Sequence, residues 1–139
     1  MFIDTSVIVA ILSEESDADL YTLRIADSSI RLTSSVVVLE AAMRLSSKLD
    51  VAPLDVQNRI ERLFESLRIE IMPIDADHAR IAVQAFATYG KARGHPAQLN
   101  LADCLSYACA KSKGLPILFK GDDFSRTDMA APPVSTSAI

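Results

Sequence analysis

Apolar positions recur along this chain with two different periods, and the way the two alternate predicts the fold class. Met1 to Ile3 is a short unbroken apolar run; Asp4, Thr5 and Ser6 interrupt it before Val7 to Leu12 resumes. Such a run closed by capping residues reads as a buried strand feeding a helix, with Thr5 or Ser6 as the cap. Glu15 to Ala26 carries Leu20, Leu23 and Ile25 among polar residues, an amphipathic helical segment. Ile30 to Leu32 is a second strand. Thr33, Ser34 and Ser35 offer caps for a long helix to about Leu49, which the break from Asp50 to Pro53 ends.

The second half repeats the scheme. Val56, Ile60, Leu63, Phe64 and Leu67 form one buried stripe on a helix from Leu54 to Leu67, and the alternation of Ile69, Ile71 and Ile74 with Glu70 and with Met72 and Pro73 predicts a third strand. Asp75 or Asp77 opens a helix through Ile81, Ala82, Ala85 and Phe86 that ends near Gly90 or Gly94, and Gly94, His95 and Pro96 make a loop. Asn100 caps a helix from Leu101 to Lys113, Gly114 stops it, Ile117 to Phe119 is a fourth strand, and Gly121 turns the chain. Short strands separated by helices imply an α/β protein, a three-layer α/β/α sandwich with a mainly parallel central sheet. Residues 1–139 are expected to form a single domain, with 130–139 as a tail or an edge strand near Val134.

Composition narrows the classes. With 50% hydrophobic and 23% charged residues, the chain can bury enough surface to fold, which excludes disorder. The run from Val7 to Leu12 is far shorter than the roughly 20 residues that span a bilayer, and Asp4 breaks up any secretory signal, so no membrane association and a cytoplasmic location are expected. Cys104 and Cys109 lack metal-ligand spacing and read as small core residues. The formal net charge of -4 opposes non-specific attachment to nucleic acid, but its distribution matters more. Lys91, Arg93, Lys111, Lys113, Lys120 and Arg126 outnumber Asp103, Asp122 and Asp123 in the stretch from Lys91 to Arg126, leaving an excess of negative charge elsewhere. That stretch is either a solvated set of helix ends or a phosphate-binding surface.

In open parallel sheets, functional groups collect where strands end and helices begin. Asp4 ends the first strand, Asp103 lies in the first turn of the helix before the last strand, and Asp122 and Asp123 follow that strand. Glu40 comes from within a helix and has Val36, Val37 and Met43 on its own face. Carboxylates with apolar neighbours are costly to ionise unless a cation compensates, and an all-oxygen donor set favours Mg²⁺ or Mn²⁺ over zinc. Each acid also has an ordinary reading: Asp4 and Asp103 as helix-start acids, Asp122 and Asp123 as turn residues, and Glu40 as the partner of Arg44 one turn on. Thr5 and Ser6 are caps, with one hydroxyl able to bond a metal-held water. His78 reads as a surface histidine, and His95 as a loop residue that could meet a phosphate.

Taken in order, Phe2-Ile3-Asp4-Thr5-Ser6, Glu40, Asn100-Leu101-Ala102-Asp103-Cys104 and Lys120-Gly121-Asp122-Asp123-Phe124 resemble a PIN domain of the VapC toxin type, from Met1 to about Met129. The resemblance implies a ribonuclease using Mg²⁺ or Mn²⁺, restrained by a VapB-like antitoxin and commonly a homodimer. It makes Asp4 and Asp103 the principal metal-binding acids and Glu40 the helix-borne one, with Asp122 preferred to Asp123 as the fourth. In-line hydrolysis of RNA leaving a 5′-phosphate follows, with Lys91, Arg93, Lys120 and Arg126 on flanking phosphates. Rival readings are a receiver-like Mg²⁺-binding module with Asp75 as phosphoacceptor and a non-catalytic interaction domain. A phosphatase forming an aspartyl phosphate would need a second acid where Ser6 stands.

Overall fold

A computed structural model describes residues 1–129; the expectation for 130–139 lies outside the described residues. In chain order the elements are β1 (Phe2–Ile3), α1 (Thr5–Leu12), α2 (Ala18–Ala26), β2 (Leu32–Ser34), α3 (Ser35–Leu49), α4 (Pro53–Leu67), β3 (Glu70–Met72), α5 (Ala76–Tyr89), α6 (Leu101–Lys113) and β4 (Ile117–Leu118). The four strands pair in the order β3-β2-β1-β4, every pairing parallel. Phe2 lies opposite both Leu32 and Ile117, and Ile3 opposite Leu118.

The neighbouring strands β1 and β4 are wholly apolar because both their faces are covered: Phe2, Ile3, Ile117 and Leu118 are all buried. Helices α1 to α4 pack among themselves, α5 packs on α6, and α6 lies against β1, β2 and β4. The chain steps outward from β1 to β2 to β3, then returns past β1 to β4. With right-handed crossovers, that reversal puts the helices of the last connection on the opposite face of the sheet from the earlier ones, giving the three layers. The α4 stripe of Val56, Ile60 and Phe64 is buried as its spacing requires, and Leu45, Ala41 and Val37 of α3 face the same core.

Local chemistry sets the element ends. Ser34 closes β2 and caps α3, its Oγ accepting from Val37 N at 3.4 Å. This moves β2 about two residues beyond its expected place, and the buried Thr33 hydroxyl, donating to Ile3 O at 2.9 Å, helps hold it beside β1. Gly114 ends α6 at φ 64, a left-handed conformation that glycine adopts without strain. Gly90 is needed for a different reason: a Cβ there would stand 2.3 Å from the Phe86 ring and 2.4 Å from Phe86 O. That carbonyl accepts from Gly90 N at 2.8 Å and has no room to move away. Gly90→Ala should therefore cost about 1–3 kcal/mol in denaturant unfolding; an unchanged midpoint would show that α5 ends less tightly than described.

His78 corrects an expectation. It is buried, with Nδ1 accepting from Asp75 N at 2.9 Å and Nε2 3.0 Å from Ser112 Oγ on α6. The ring takes the place that Glu or Gln fills in a capping box, and its far edge ties α5 to α6.

Candidate active site

The sheet order creates a crevice. Connections leave β1 on one side and reach β4 on the other, so the carboxyl ends of β1 and β4 lie at a topological switch point, where open α/β sheets place their ligands. Asp4 follows β1, Lys120 to Asp123 follow β4, and the first turn of α6 presents Asp103.

Asp4, not Thr5 or Ser6, is the N-cap of α1. Its backbone N donates to Leu118 O at 3.0 Å, and its Oδ2 accepts from Ser6 N at 3.1 Å and Ser6 Oγ at 2.7 Å. Ser6 Oγ in turn accepts from Lys120 N at 2.8 Å, so one hydroxyl joins the carboxylate after β1 to the backbone after β4. Ser6 is thereby spent on holding Asp4. Among the described residues the buried Thr5 hydroxyl has no partner.

Asp103 is locked by a reciprocal cap. Its N donates to Asn100 Oδ1 at 2.9 Å while its Oδ2 accepts from Asn100 N at 3.0 Å. Here the capping residue expected from the sequence is the one observed.

Burial dominates the electrostatics of both acids. Asp4 is only 5% exposed, and loss of water raises its pKa; the bonds from Ser6 oppose the rise, and the charge of Glu40 adds to it. Asp103 is pushed from 3.8 up to about 7, first by burial, against the bond from Asn100, then by the charges of Asp123, Asp4 and Glu40. Asp103 on α6 therefore feels three other acids across this crevice, from the end of β1, from α3 and from the β4 exit. Of the two acids after β4, Asp123 is the one whose charge bears on Asp103. Asp122 shapes the turn, its carbonyl accepting from Ser125 N at 3.2 Å and Ser125 Oγ at 2.7 Å.

Glu40 has no hydrogen-bond or ion-pair partner among the described residues, and neither has Arg44, so the pairing expected one turn apart is not formed. Glu40 is half-buried and free to take a ligand. Among the described residues no three side chains already form a metal cage. A Mg²⁺ ion does not require one, since it keeps several waters and is bound through one or two carboxylates. An all-oxygen donor set in which burial and mutual repulsion disfavour ionisation fits a divalent cation, which would relieve both costs.

The other sequence candidates divide. Lys120 Nζ donates to Glu15 and Asp17, both at 3.0 Å, so its charge is largely engaged. The Arg93 guanidinium lies 5.7 Å over the Phe86 ring, while Lys91 and Arg126 are exposed. His95 Nδ1 accepts from Ala97 N at 3.0 Å and its ring sits edge-on to Tyr89, so it braces the loop before Asn100. Asp75 caps α5 after the edge strand β3, which removes the central phosphoacceptor that a receiver module needs. Cys104 and Cys109 are free and buried, and burial pushes the Cys109 thiol up to about 11. The bridging place of Ser6 was missed because Asp, Thr and Ser all favour N-cap positions, and spacing alone does not rank them.

Comparison with known proteins accords with this arrangement. A family model described as the PIN domain matches residues 1–129. The chain is 41% identical over 131 residues to ribonuclease VapC42 of Mycobacterium tuberculosis, covering 93% of this chain and 96% of that protein. It is 40% identical over 131 residues to a ribonuclease VapC of Mycolicibacterium smegmatis, covering 94% and 98%. Among solved structures, Mycobacterium tuberculosis VapC20, described as a sarcin-ricin loop cleaving toxin, superposes with a TM-score of 0.73 at 17% identity, over 93% of this chain and 95% of that one. That likeness concerns the fold, whereas the sequence identities and the family match settle kinship: the chain belongs to the PIN-domain family and, within it, to the VapC type.

Proposed function

We propose that this protein is the ribonuclease toxin of a toxin–antitoxin pair and hydrolyses RNA phosphodiester bonds with Mg²⁺ or Mn²⁺ held by Asp4, Glu40, Asp103 and Asp123. Asp123 takes the fourth place that the sequence assigns to Asp122. The observation that carries this reading is the placing of two buried acids, Asp4 and Asp103, at the switch point of the sheet, each held by its own hydrogen bonds from Ser6 and Asn100. A VapB-like antitoxin as restraining partner, a homodimeric state and a single domain over 1–139 belong to the same proposal and rest on kinship.

A divalent cation bound here would neutralise phosphoryl charge and acidify a coordinated water. The residues supply the rest. Ser6 fixes the rotamer of Asp4, and Asn100 fixes that of Asp103, so neither carboxylate must reorganise when it takes up its ligand. Glu40, with no hydrogen-bond or ion-pair partner among the described residues, is available to orient water and accept a proton. Asp123 stands exposed at the rim.

The test is direct. The purified protein, freed of any antitoxin, is incubated with total RNA in Mg²⁺, in Mn²⁺ and in chelator. Discrete fragments are expected with either metal and intact RNA with chelator. RNA that stays intact under every metal condition would sink the proposal.

A further inference from the structure

A groove of 680 Å³ lies between α1 and α3, lined by Ser6, Met43, Arg44, Ser47, Lys48 and Lys120 among others. One end abuts the acid crevice, because Ser6 is the residue that holds Asp4. Along α3, Glu40, Arg44 and Lys48 recur every four residues and so form one row on the helix surface. Successive members stand about 6 Å apart along the axis. The row begins with a residue proposed to serve the metal and continues with two cations.

The state of those cations shows what the groove lacks. Glu15 Oε1 accepts from Lys48 Nζ at 2.9 Å, and Glu15 Oε2 accepts from Lys120 Nζ at 3.0 Å. Lys48 also donates to Ser13 Oγ at 3.2 Å, and Lys120 to Asp17 at 3.0 Å. An ammonium carries three N–H donors, so each lysine keeps one in reserve, and their side chains remain 45% and 37% exposed. Glu15 thus clamps two ammonium groups beside the groove without exhausting them. Arg44 is exposed and has no partner among the described residues, which leaves its planar fork of donors free.

We infer that this groove is a phosphate subsite for single-stranded RNA, with Arg44 as its principal contact and the lysines clamped by Glu15 as preset secondary donors. The inference rests on the ribonuclease reading for the direction of the strand. A strand with its reacting phosphate at Asp4 must lay its next phosphates within a nucleotide or two of that point, and the row on α3 offers cations at that range. Without them, an acid cluster on a chain of net charge -4 would repel its own substrate. Met43, 62% exposed in the same lining, offers an apolar face to an unstacked base. An acidic protein segment would meet the same cations but has no reason to start at the metal acids.

The experiment compares the full chain with Arg44→Gln and Arg44→Lys on a single-stranded RNA oligonucleotide in Mg²⁺, and measures binding of the same labelled oligonucleotide in chelator. For Arg44→Gln, KM should rise about tenfold with kcat held within about twofold, as expected when uniform binding is lost. The slope of log(kcat/KM) against log salt should become shallower by about 0.7. Binding in chelator should weaken by a similar factor, and Arg44→Lys should recover part of each loss. If the wild-type chain cleaves but Arg44→Gln leaves KM, salt slope and binding unchanged, the subsite is wrong and the nuclease reading survives. If nothing cleaves yet binding in chelator still depends on Arg44, the subsite survives and the nuclease reading fails. Absence of RNA binding by the wild-type chain, or an Arg44 dependence confined to a polyglutamate peptide, overturns the inference.

Discussion

Asp103→Asn is expected to reduce RNA cleavage by about three orders of magnitude while making the metal-free protein more stable above neutral pH. The two effects have one cause. Asp103 titrates near 7 in the folded chain against an ordinary 3.8, so the folded state holds its proton more tightly than the unfolded state does. Stability from this group is complete below pH 4 and is lost as pH rises through 7, because ionising a buried acid among Asp123, Asp4 and Glu40 is costly. The loss amounts to about 4 kcal/mol at most, on an order-of-magnitude reckoning. Asparagine does not titrate, and its side-chain oxygen can still accept from Asn100 N, so the cap survives. Urea unfolding in chelator should therefore show the variant more stable than wild type at pH 8, with the gap closing towards pH 4. A gap independent of pH would mean that Asp103 is not the strained acid.

The same balance explains why the layout of the fold was legible from the sequence and the detail of the site less so. Hydrophobic period is a local property, and it placed β1, α3, α4 and α6 close to their observed bounds because each has an unambiguous buried face. Where two good capping residues are adjacent, local chemistry does not choose between them. Asp4 won over Thr5 and Ser6 because its backbone N already pairs with Leu118 O, which fixes where β1 stops and leaves the side chain at the helix start. His78 was misread because its burial depends on Ser112, 34 residues away, which no window around α5 contains. The ion pairs of Lys120 were beyond reach for a similar reason, since its partners Glu15 and Asp17 lie more than 100 residues earlier. Of the acids, Asp4, Glu40 and Asp103 could be proposed because each stands at or near an element boundary or amid apolar neighbours. The choice between Asp122 and Asp123 turns on how the chain bends after Gly121, which adjacent identical residues do not reveal.

Asp4→Asn and Asp4→Ala should be equally inactive but unequally stable, which separates the two roles this residue combines. As N-cap of α1, Asp4 needs only an oxygen acceptor for Ser6 N, and asparagine provides one. Alanine provides none, leaves Ser6 Oγ without its acceptor and should cost about 1 kcal/mol or more beyond Asn in denaturant unfolding. Chemistry needs the charge, so both substitutions should cost about three orders of magnitude in cleavage. Mg²⁺ supplies the sharper discriminant. A ligand that binds only the folded chain stabilises it by about 2.7 kcal/mol at a hundred times its dissociation constant, so the wild-type Tm should climb with Mg²⁺ concentration. Because burial raises the proton affinity of both Asp4 and Asp103, Mg²⁺ must displace protons to bind, and the climb should be steeper at pH 8 than at pH 6. Asp4→Asn should flatten it at both. A variant that kept the full Mg²⁺-dependent rise in Tm would show that Asp4 caps a helix and holds no metal.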